Sequence, residues 1–562
     1  YDTWSNVYEN QSKIYRYSYY EVSNAGDVIS DGNASLSSVQ GTDSNMGKAS
    51  GNNSWIRRCI FNGSINYDRT FAEKHNVYGQ LKYDYEYNDQ TGTNTTVYRH
   101  NISLFAHYGF ANKYLLDVAL VESGSSRLAP GSKWAFSPNV SAAWNISNES
   151  FMKDVKWVDF LKLRASFGNQ SLDVLPGSNV WTYYDQFYLM NGTSYPFDAT
   201  YTGTQWGNTY LSTARTQSLG HERSTKFNVG IDATLFGSLN VSLDYFYQHR
   251  YDIWCSTAGS YNSVFGLGAP YENVGVVNSQ GFEISADYSK KINSDLTINV
   301  GASFTFNKNT IKEQAEAPQL YANTASTGHC YGQAFGYVAN GFFQKSDDLN
   351  GDGIISAAEM QQNGYPVQSF TTVYPGDVKY VDLTGENIID ANDRKAIGYS
   401  TTAPDIYYNF HLGAEYKGIG LDAMFQGVGR WTGFMTTNGL YRSAVATNTL
   451  SQYLYENSWS AERGNTESAL FPRLSTTSNA NNDLNSTLNM FDRSYIKLRY
   501  VELYYHLPKS LLNKLSVINN IKLYVRGTDL FTADHLDKAD AASYGVAQPL
   551  TRSVQLGAAL TF

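Results

Sequence analysis

The sequence predicts an all-β fold, a transmembrane antiparallel β-barrel. Three observations predict it: a polarity period of two that keeps returning, connections that sort by length, and an excess of Tyr and Trp. The period is clearest at the C-terminus, where Val554, Leu556, Ala558, Leu560 and Phe562 alternate with Ser553, Gln555, Gly557 and Thr561. Successive strand side chains point to opposite faces, so such a segment presents one apolar and one polar surface. Lipid outside and water inside call for that surface pair. A strand of a soluble sandwich alternates as well, so the prediction rests on recurrence.

Recurrence runs along the whole chain. Val77, Gly79, Leu81, Tyr83, Tyr85 and Tyr87 alternate with Gln80, Lys82, Asp84 and Glu86. Leu161, Leu163, Ala165 and Phe167 alternate with Lys162, Arg164 and Ser166. Leu239, Val241, Leu243, Tyr245 and Tyr247 follow the same rule, as do Leu296, Ile298, Val300, Ala302, Phe304 and Phe306. Read in order, the pattern gives about fifteen strands: 54–68, 75–88, 96–109, 113–123, 136–147, 160–169, 223–236, 239–253, 275–290, 295–307, 404–417, 419–429, 493–506, 519–528 and 551–562.

Connection length supplies the second argument. Gly237-Ser238 reads as a two-residue hairpin, Gly418 alone joins 404–417 to 419–429, and about four residues join 275–290 to 295–307. Between them lie long connections at 170–222, 254–274, 308–403, 430–492 and 529–550. Counted back from Phe562, long and short connections fall on opposite sides of the sheet. Transmembrane barrels show this asymmetry, with short periplasmic turns and long outer loops. The same count places Tyr1 in an outward loop, which is how a barrel lacking its first strands would read.

Composition agrees. The chain has 562 residues with 45 Tyr and 10 Trp, and aromatic girdles at two membrane interfaces account for such an excess. No apolar run reaches the ~18 residues of a spanning helix; the longest, 114–121, is interrupted by Asp117. A membrane-spanning chain of this kind must then be a barrel, because only helices and closed barrels satisfy their backbone in lipid. A formal charge of −9 argues against a nucleic-acid partner. Cys59, Cys255 and Cys330 are odd in number and widely spaced, which suggests neither a disulfide framework nor a zinc site. No initiator Met or leader segment is visible, so the chain reads as processed or truncated.

No catalytic constellation emerges, and the expectation is a protein that is not an enzyme. His221-Glu222 and His249-Arg250 are isolated, and no HExxH, GxSxG or phosphate-cradling loop is present. Trp181, Tyr183, Tyr184 and Trp206 could stack on sugar rings or pack loops together, and substrate-contacting residues stay unassigned. The sharpest motif is 348–359, DLNGDGIISAAE, which matches the calcium loop D-x-[DN]-x-[DN]-G-x5-E throughout. Asp348, Asn350 and Asp352 would supply side-chain oxygens, Ile354 its carbonyl, Ser356 a direct or water-mediated ligand, and Glu359 two oxygens. Gly353 permits the tight turn, and Ile355 is the apolar eighth position. The ion-free alternative is a loop turned by Asx hydrogen bonds. A second frame at 382–393 has a poorer set: Asp382, Thr384, Glu386, Ile388, Asp390 and Asp393, with Asn387 in the place of the turn glycine. Calcium is thus the expected cofactor, in a structural role within the 308–403 connection.

Several segments resemble the SusC/RagA family, the TonB-dependent outer-membrane transporters of Bacteroidota. Asn273-Val274-Gly275 followed by Gly281-Phe282-Glu283 is similar to its strand-entry motif. Pro375-Gly376-Asp377-Val378-Lys379-Tyr380-Val381-Asp382-Leu383 resembles its PGD segment, continued by 390–398. Residues 494–501, running to Leu507-Pro508, resemble its SYLRLKN…LP strand, and 459–473 its W-x-x-E…[YF]PR loop. Phe136-Ser137-Pro138, Ala142-Ala143-Trp144 and 161–166 complete an ordered series from about 130 to 562.

The resemblance implies a barrel of about 22 strands closed by an N-terminal plug. The whole chain, 1–562, would then be a partial barrel with long extracellular loops, without the plug and the first strands. It implies outer-membrane import of oligosaccharides, with peptides as the alternative cargo. A SusD-like lipoprotein would be the partner at the mouth, TonB would act through the plug, and outer-membrane lipid would surround the barrel. A surface-anchored all-β glycan-binding protein and a passive porin are the competing readings.

Overall fold

In the computed structural model the described residues are 2–12, 17–22, 34–40, 47–91, 96–173, 186–195, 206–213, 216, 219–259, 264, 266, 268–443, 450–512, 518–545 and 550–562. Sixteen strands form one antiparallel sheet in which every strand pairs with its sequence neighbours in that sheet. They are β1 (Asp2–Ser12), β2 (Gly47–Phe71), β3 (His75–Gln90), β4 (Val97–Phe110), β5 (Tyr114–Ser125), β6 (Trp134–Asn145), β7 (Val158–Leu172) and β8 (Glu222–Leu235). The second half comprises β9 (Leu239–Ser256), β10 (Tyr271–Lys291), β11 (Leu296–Glu313), β12 (Ile406–Tyr416), β13 (Ile419–Gly429), β14 (Tyr495–His506), β15 (Asn520–Asp534) and β16 (Ser553–Thr561). Among the described residues β1 and β16 do not pair with each other, so the sheet has two edges.

The count is one higher than the alternation gives. β1 pairs with β2 from Asp2↔Arg58 to Ser12↔Gly47. It lies along the part of β2 that runs on past the last β2–β3 pair, Ile56↔Gln90, so Asp2, opposite Arg58, stands toward the long-connection end, on the side expected of the N-terminal residues. Hairpin lengths shift slightly too. Leu235 and Leu239 pair across three residues rather than two, and Lys417-Gly418, both with positive φ, form the two-residue turn between β12 and β13. The short-turn end also carries 146–157 and 507–519, and the opposite end the brief 91–96 and 126–133, which depart from the expected sorting by length. The remaining connections at that opposite end, such as 173–221, 314–405 and 430–494, are the long ones.

Register makes the sheet two-faced. Leu163, Ile231, Leu243, Ile284 and Phe304 are paired in sequence across β7 to β11. The first four are 37–41% exposed, and Phe304 continues the row. One residue along, the paired row reads Arg164, Gly230, Asp244, Glu283 and Thr305. Arg164 crosses that polar face, bonding Asp232 at 3.0 Å and Asp244 at 2.6 Å. A sheet whose exposed face is Leu, Ile and Phe over many strands has no stable surface against water. It matches the lipid face of a barrel.

Gly281, in the strand-entry motif, sits close against β11. A Cβ there would fall 2.0 Å from the Phe306 carbonyl oxygen and 2.6 Å from the Phe246 ring. No rotamer relieves a clash with backbone, so only glycine fits.

Candidate functional site: the loop assembly at the long-connection end

Three long connections pack into one body. Tyr337, Phe342, Val378, Tyr380 and Ile389 of 314–405 share a buried cluster with Trp459 of 430–494. Tyr441, Leu454, Phe471 and Phe491 then join Leu536 and Ala541 of 535–552 in a second. Loops seldom own cores of this size, and burial of this kind fixes their mutual placement.

A fully buried carboxylate ties the first two connections together. Asp377 is 0% exposed. It accepts hydrogen bonds from the Tyr374 N–H at 3.0 Å, Arg473 Nε at 2.7 Å, Asn479 Nδ2 at 3.0 Å and Asn482 Nδ2 at 2.9 Å. Arg473 also lies over the Tyr374 ring, its Cζ 4.4 Å from the centroid. Gly376, at φ +94°, passes so close to Trp459 that a Cβ would sit 2.3 Å from the indole. The PGD segment, Trp459 and Phe471-Pro472-Arg473 are therefore parts of one contact. Spacing alone gave no sign of this, since Asp377 and Arg473 lie 96 residues apart.

The first candidate metal loop is closed on itself. Asp348 accepts from the N–H groups of Gly351 and Gly353, both at 2.8 Å. Asn350 accepts from Asp352 N–H, and Asp352 from Ile354 N–H, each at 2.8 Å. Glu359 takes Leu349 and Asn350 N–H on Oε1, and the Ser356 hydroxyl and N–H on Oε2. Ser356 in turn caps the helix Ala357–Gln362, which we label α1. Ile355, 2% exposed, packs with Phe343, Met360 and Val373 as the apolar eighth position should.

This oxygen-rich set suits a hard cation. The Asp348, Asn350 and Asp352 oxygens keep lone pairs after these bonds, whereas all four lone-pair sites of Glu359 are engaged. Bidentate coordination by Glu359 would require it to exchange those bonds. Among the described residues no three His, Cys, Asp or Glu side chains converge as a metal cluster.

The hydroxyl and N–H of Ser356, then the N–H groups of Asn350 and Leu349, hold the Glu359 carboxyl down at about 2. A depressed carboxylate stabilises above its unfolded pKa of ~4.3 and loses that contribution as pH falls toward the folded value. The loop should therefore resist protease at neutral pH and become sensitive between about pH 4 and pH 2, read by limited proteolysis across a pH series. Protection that stays constant down to about pH 2 would refute the role of Glu359 as the clasp.

The second loop is built alike. Asp382 accepts from Gly385 and Asn387 N–H, both at 2.7 Å, and Asp393 from Leu383 N–H at 2.7 Å and Asp390 N–H at 2.9 Å. Burial opposes ionisation of Asp382, but the Gly385 and Asn387 bonds outweigh it and keep the carboxyl below its usual range. Asn387 takes the left-handed turn at φ +60°, as its position requires. Thr384 donates to Glu386 at 3.1 Å, and Asp390 caps the short helix Ala391–Asp393, while the Ile388 side chain is exposed. Of the aromatic candidates, Trp181, Tyr183 and Tyr184 lie outside the described residues, and Trp206 begins the strand Trp206–Thr213.

Comparison with known proteins identifies the chain. Residues 1–400 match the family of TonB dependent receptor-like beta-barrels. The chain belongs to this family. TonB-dependent receptor P3 of Formosa agariphila is 25% identical over 455 residues, covering 78% of this chain and 42% of that protein. TonB-dependent receptor SusC of Bacteroides thetaiotaomicron is 24% identical over 363 residues, 60% of this chain and 32% of SusC. Among solved structures, the RagAB peptide importer in its open-open state superposes with a TM-score of 0.69 at 18% identity, over 91% of this chain and 55% of that one. The chain thus spans under half the length of these curated relatives. As a TonB-dependent receptor-like barrel chain it is an outer-membrane protein, with the Leu163–Phe304 row toward lipid and the long-connection end outward.

Proposed function

We propose that this chain forms part of the barrel of a SusC/RagA-type importer that brings oligosaccharides across the outer membrane. The observation that carries this is the two-faced sheet, apolar outside and charged or hydroxylated inside, in a chain of the TonB-dependent family. Polar rows such as Arg164, Asp244, Glu283 and Thr305 offer hydrogen bonds to hydroxyls along the inner wall. The plug and the TonB contact belong to the part of the relatives that this chain does not span. A SusD-like lipoprotein closes over the loop assembly from outside. The reading is of a transport protein rather than an enzyme. Peptide cargo is the second reading, because the RagAB structures sharing this fold are named peptide transporters.

Growth of a deletion strain on defined glycans and peptides tests the cargo. The expected defect is confined to one glycan class, and a defect confined to peptides replaces it with the second reading. Co-purification of a lipoprotein in mild detergent tests the partner, and a full-length protein that always purifies alone would remove it.

Calcium at 348–359 is part of the same proposal, with Asp348, Asn350, Asp352, Ile354, Ser356 and Glu359 as ligands and 382–393 as the weaker second site. When bound, the ion would neutralise the carboxylates and order the loop. Protease protection that drops with chelator, and drops again in Glu359→Gln, supports the ion. Equal protection with and without chelator, and no bound calcium, leaves an Asx-turned loop.

A further inference from the structure

The outward face of the sheet ends in cations at its long-connection end. On β11 the outward side chains are Leu296, Ile298, Val300, Ala302, Phe304 and Phe306, and Lys308, an exposed residue, is the next. From Leu296 to Phe306 is ten steps. At ~3.3 Å per residue that is ~33 Å along the strand, and a tilt of ~40° reduces it to the ~25 Å height of a barrel's apolar band. β12 from Ile406 to Tyr416 and β13 from Ile419 to Gly429 pair with this run end to end. Lys308 therefore stands at the outer edge of the band, where lipid headgroups begin.

Arg430 reaches the same level from the end of β13. Asn307 N–H donates to the Asp405 carbonyl at 2.8 Å and Asp405 N–H to the Arg430 carbonyl at 3.4 Å, which sets the three side by side. Alternation after the outward Gly429 would turn Arg430 to the lumen. Its left-handed φ of +55° carries the side chain outward instead, with Cζ 5.6 Å from the Phe306 ring centroid and 5.0 Å from that of Tyr399. A residue other than glycine holds such a backbone against strain, and strained positions concentrate at functional sites. Tyr399 is itself fixed by its N–H, which donates to Thr432 Oγ1 at 2.8 Å.

The two cations are under-compensated. Arg430 Nε stays 3.9 Å from Asp405 Oδ2, too far for a hydrogen bond. Burial pushes the Asp405 carboxyl up, with Arg430 and Lys308 pulling the other way, so one carboxyl that is 8% exposed faces both. Among the described residues neither Lys308 nor Arg430 donates a side-chain hydrogen bond, and the Arg430 side chain is 39% exposed.

We propose that Lys308 and Arg430 bind a phosphate of an anionic glycolipid in the outer leaflet. Arg430 offers a planar donor fork steadied by two rings, which matches a pair of phosphate oxygens, and Lys308 adds a mobile point charge. The patch faces away from the lumen, so cargo inside the barrel does not pass it. Basic side chains at the edge of a membrane attract anionic headgroups, and the anion at this depth beside a barrel is a lipid phosphate. The proposal holds whichever cargo the lumen carries.

The test is native mass spectrometry of the delipidated full-length protein in detergent, titrated with lipid A and with the same lipid stripped of its phosphates. Two variants accompany it: Lys308→Gln combined with Arg430→Gln, and Lys290→Gln as a control. Lys290 is an exposed cation on the same face at the short-turn end, so its loss changes net charge without touching the patch. Heat-modifiable gel migration establishes that each variant is folded. The expected result is binding of lipid A that falls about tenfold when its phosphates are removed, falls about tenfold in K308Q/R430Q, and is unchanged in K290Q. Added salt should weaken it as well. Wild-type protein that binds both lipids equally overturns the proposal without recourse to any variant. An equal fall in K290Q assigns the effect to net charge and removes the site. Lipid binding unchanged in K308Q/R430Q removes it too, and loss of a lipoprotein partner from that same variant would give the cations to a protein contact instead.

Discussion

Replacing Asp377 with Ala should loosen the outer loops while leaving the sheet folded. The carboxylate is fully buried and accepts hydrogen bonds from Tyr374 on its own connection and from Arg473, Asn479 and Asn482 on the other. Removing it strands a partly buried guanidinium and two amides. Breaking a buried charge pair from one side costs about 3–5 kcal/mol, because the partner is left uncompensated. That is a large cost for a loop body whose remaining hold is its apolar clusters. Arg473→Ala breaks the same pair from the other side and leaves the fully buried Asp377 carboxylate without its counter-charge, so a comparable loosening is expected. Limited proteolysis in detergent, followed by peptide mapping, is the measurement. Cuts are expected within 314–405 and 430–494, while heat-modifiable gel migration shows the barrel intact. Loops that resist protease equally in D377A and wild type would show that the apolar clusters suffice.

A second large effect is expected on the lipid face. Ile284 lies seven residues before the end of β10, roughly 23 Å along the strand at ~3.3 Å per residue, which tilt places near mid-membrane. Its side chain is 40% exposed and flanked by Leu243 and Phe304. Ile284→Arg should cost about 2–4 kcal/mol, the penalty for a cation on the lipid face at the midplane. The neighbouring Ser285 points to the polar side, paired with Ser242 and Ser303, so Ser285→Arg should be nearly neutral. Folded yield in the outer membrane and denaturant midpoints of the refolded full-length barrel read the difference. Equal tolerance at both positions would mean that this face does not meet lipid.

Strands were legible in the sequence where lipid and water impose the alternation, and poorly legible beyond it. β11 was expected to stop at 307 but continues to Glu313, and β10 pairs along it through Val277↔Ile311. There the sequence is Lys308, Asn309, Thr310 and Lys312, polar on both faces, because that stretch stands above the membrane. Backbone pairing continues where the polarity signal ends. β1 was missed for a related reason. Trp4, Val7 and Tyr8 are its only large apolar residues, and its pairing with β2 slips between Asn6 and Val7.

The loops divide differently. The 348–359 frame was readable because a tight turn constrains Gly351, Gly353 and Ile355 locally. The Asp377 centre depends on residues far apart in sequence and carries no period. Asn479 and Asn482 stand close together in the sequence, but nothing local names the carboxylate they serve.

The order of the sheet has a kinetic consequence. Each strand finds its partner across the next connection, and at one end those connections are turns such as Lys417-Gly418 and 236–238. Hairpins closed by so few residues form with little loss of chain entropy, so pairing can zip from neighbour to neighbour. The Asp377–Arg473 contact instead closes a span of 96 residues, and it can form only after β12 and β13 have brought both connections to the same rim. The loop assembly is therefore the late step of folding. Substitutions at Asp377 should speed unfolding of the outer body with little change in the rate at which the barrel itself appears.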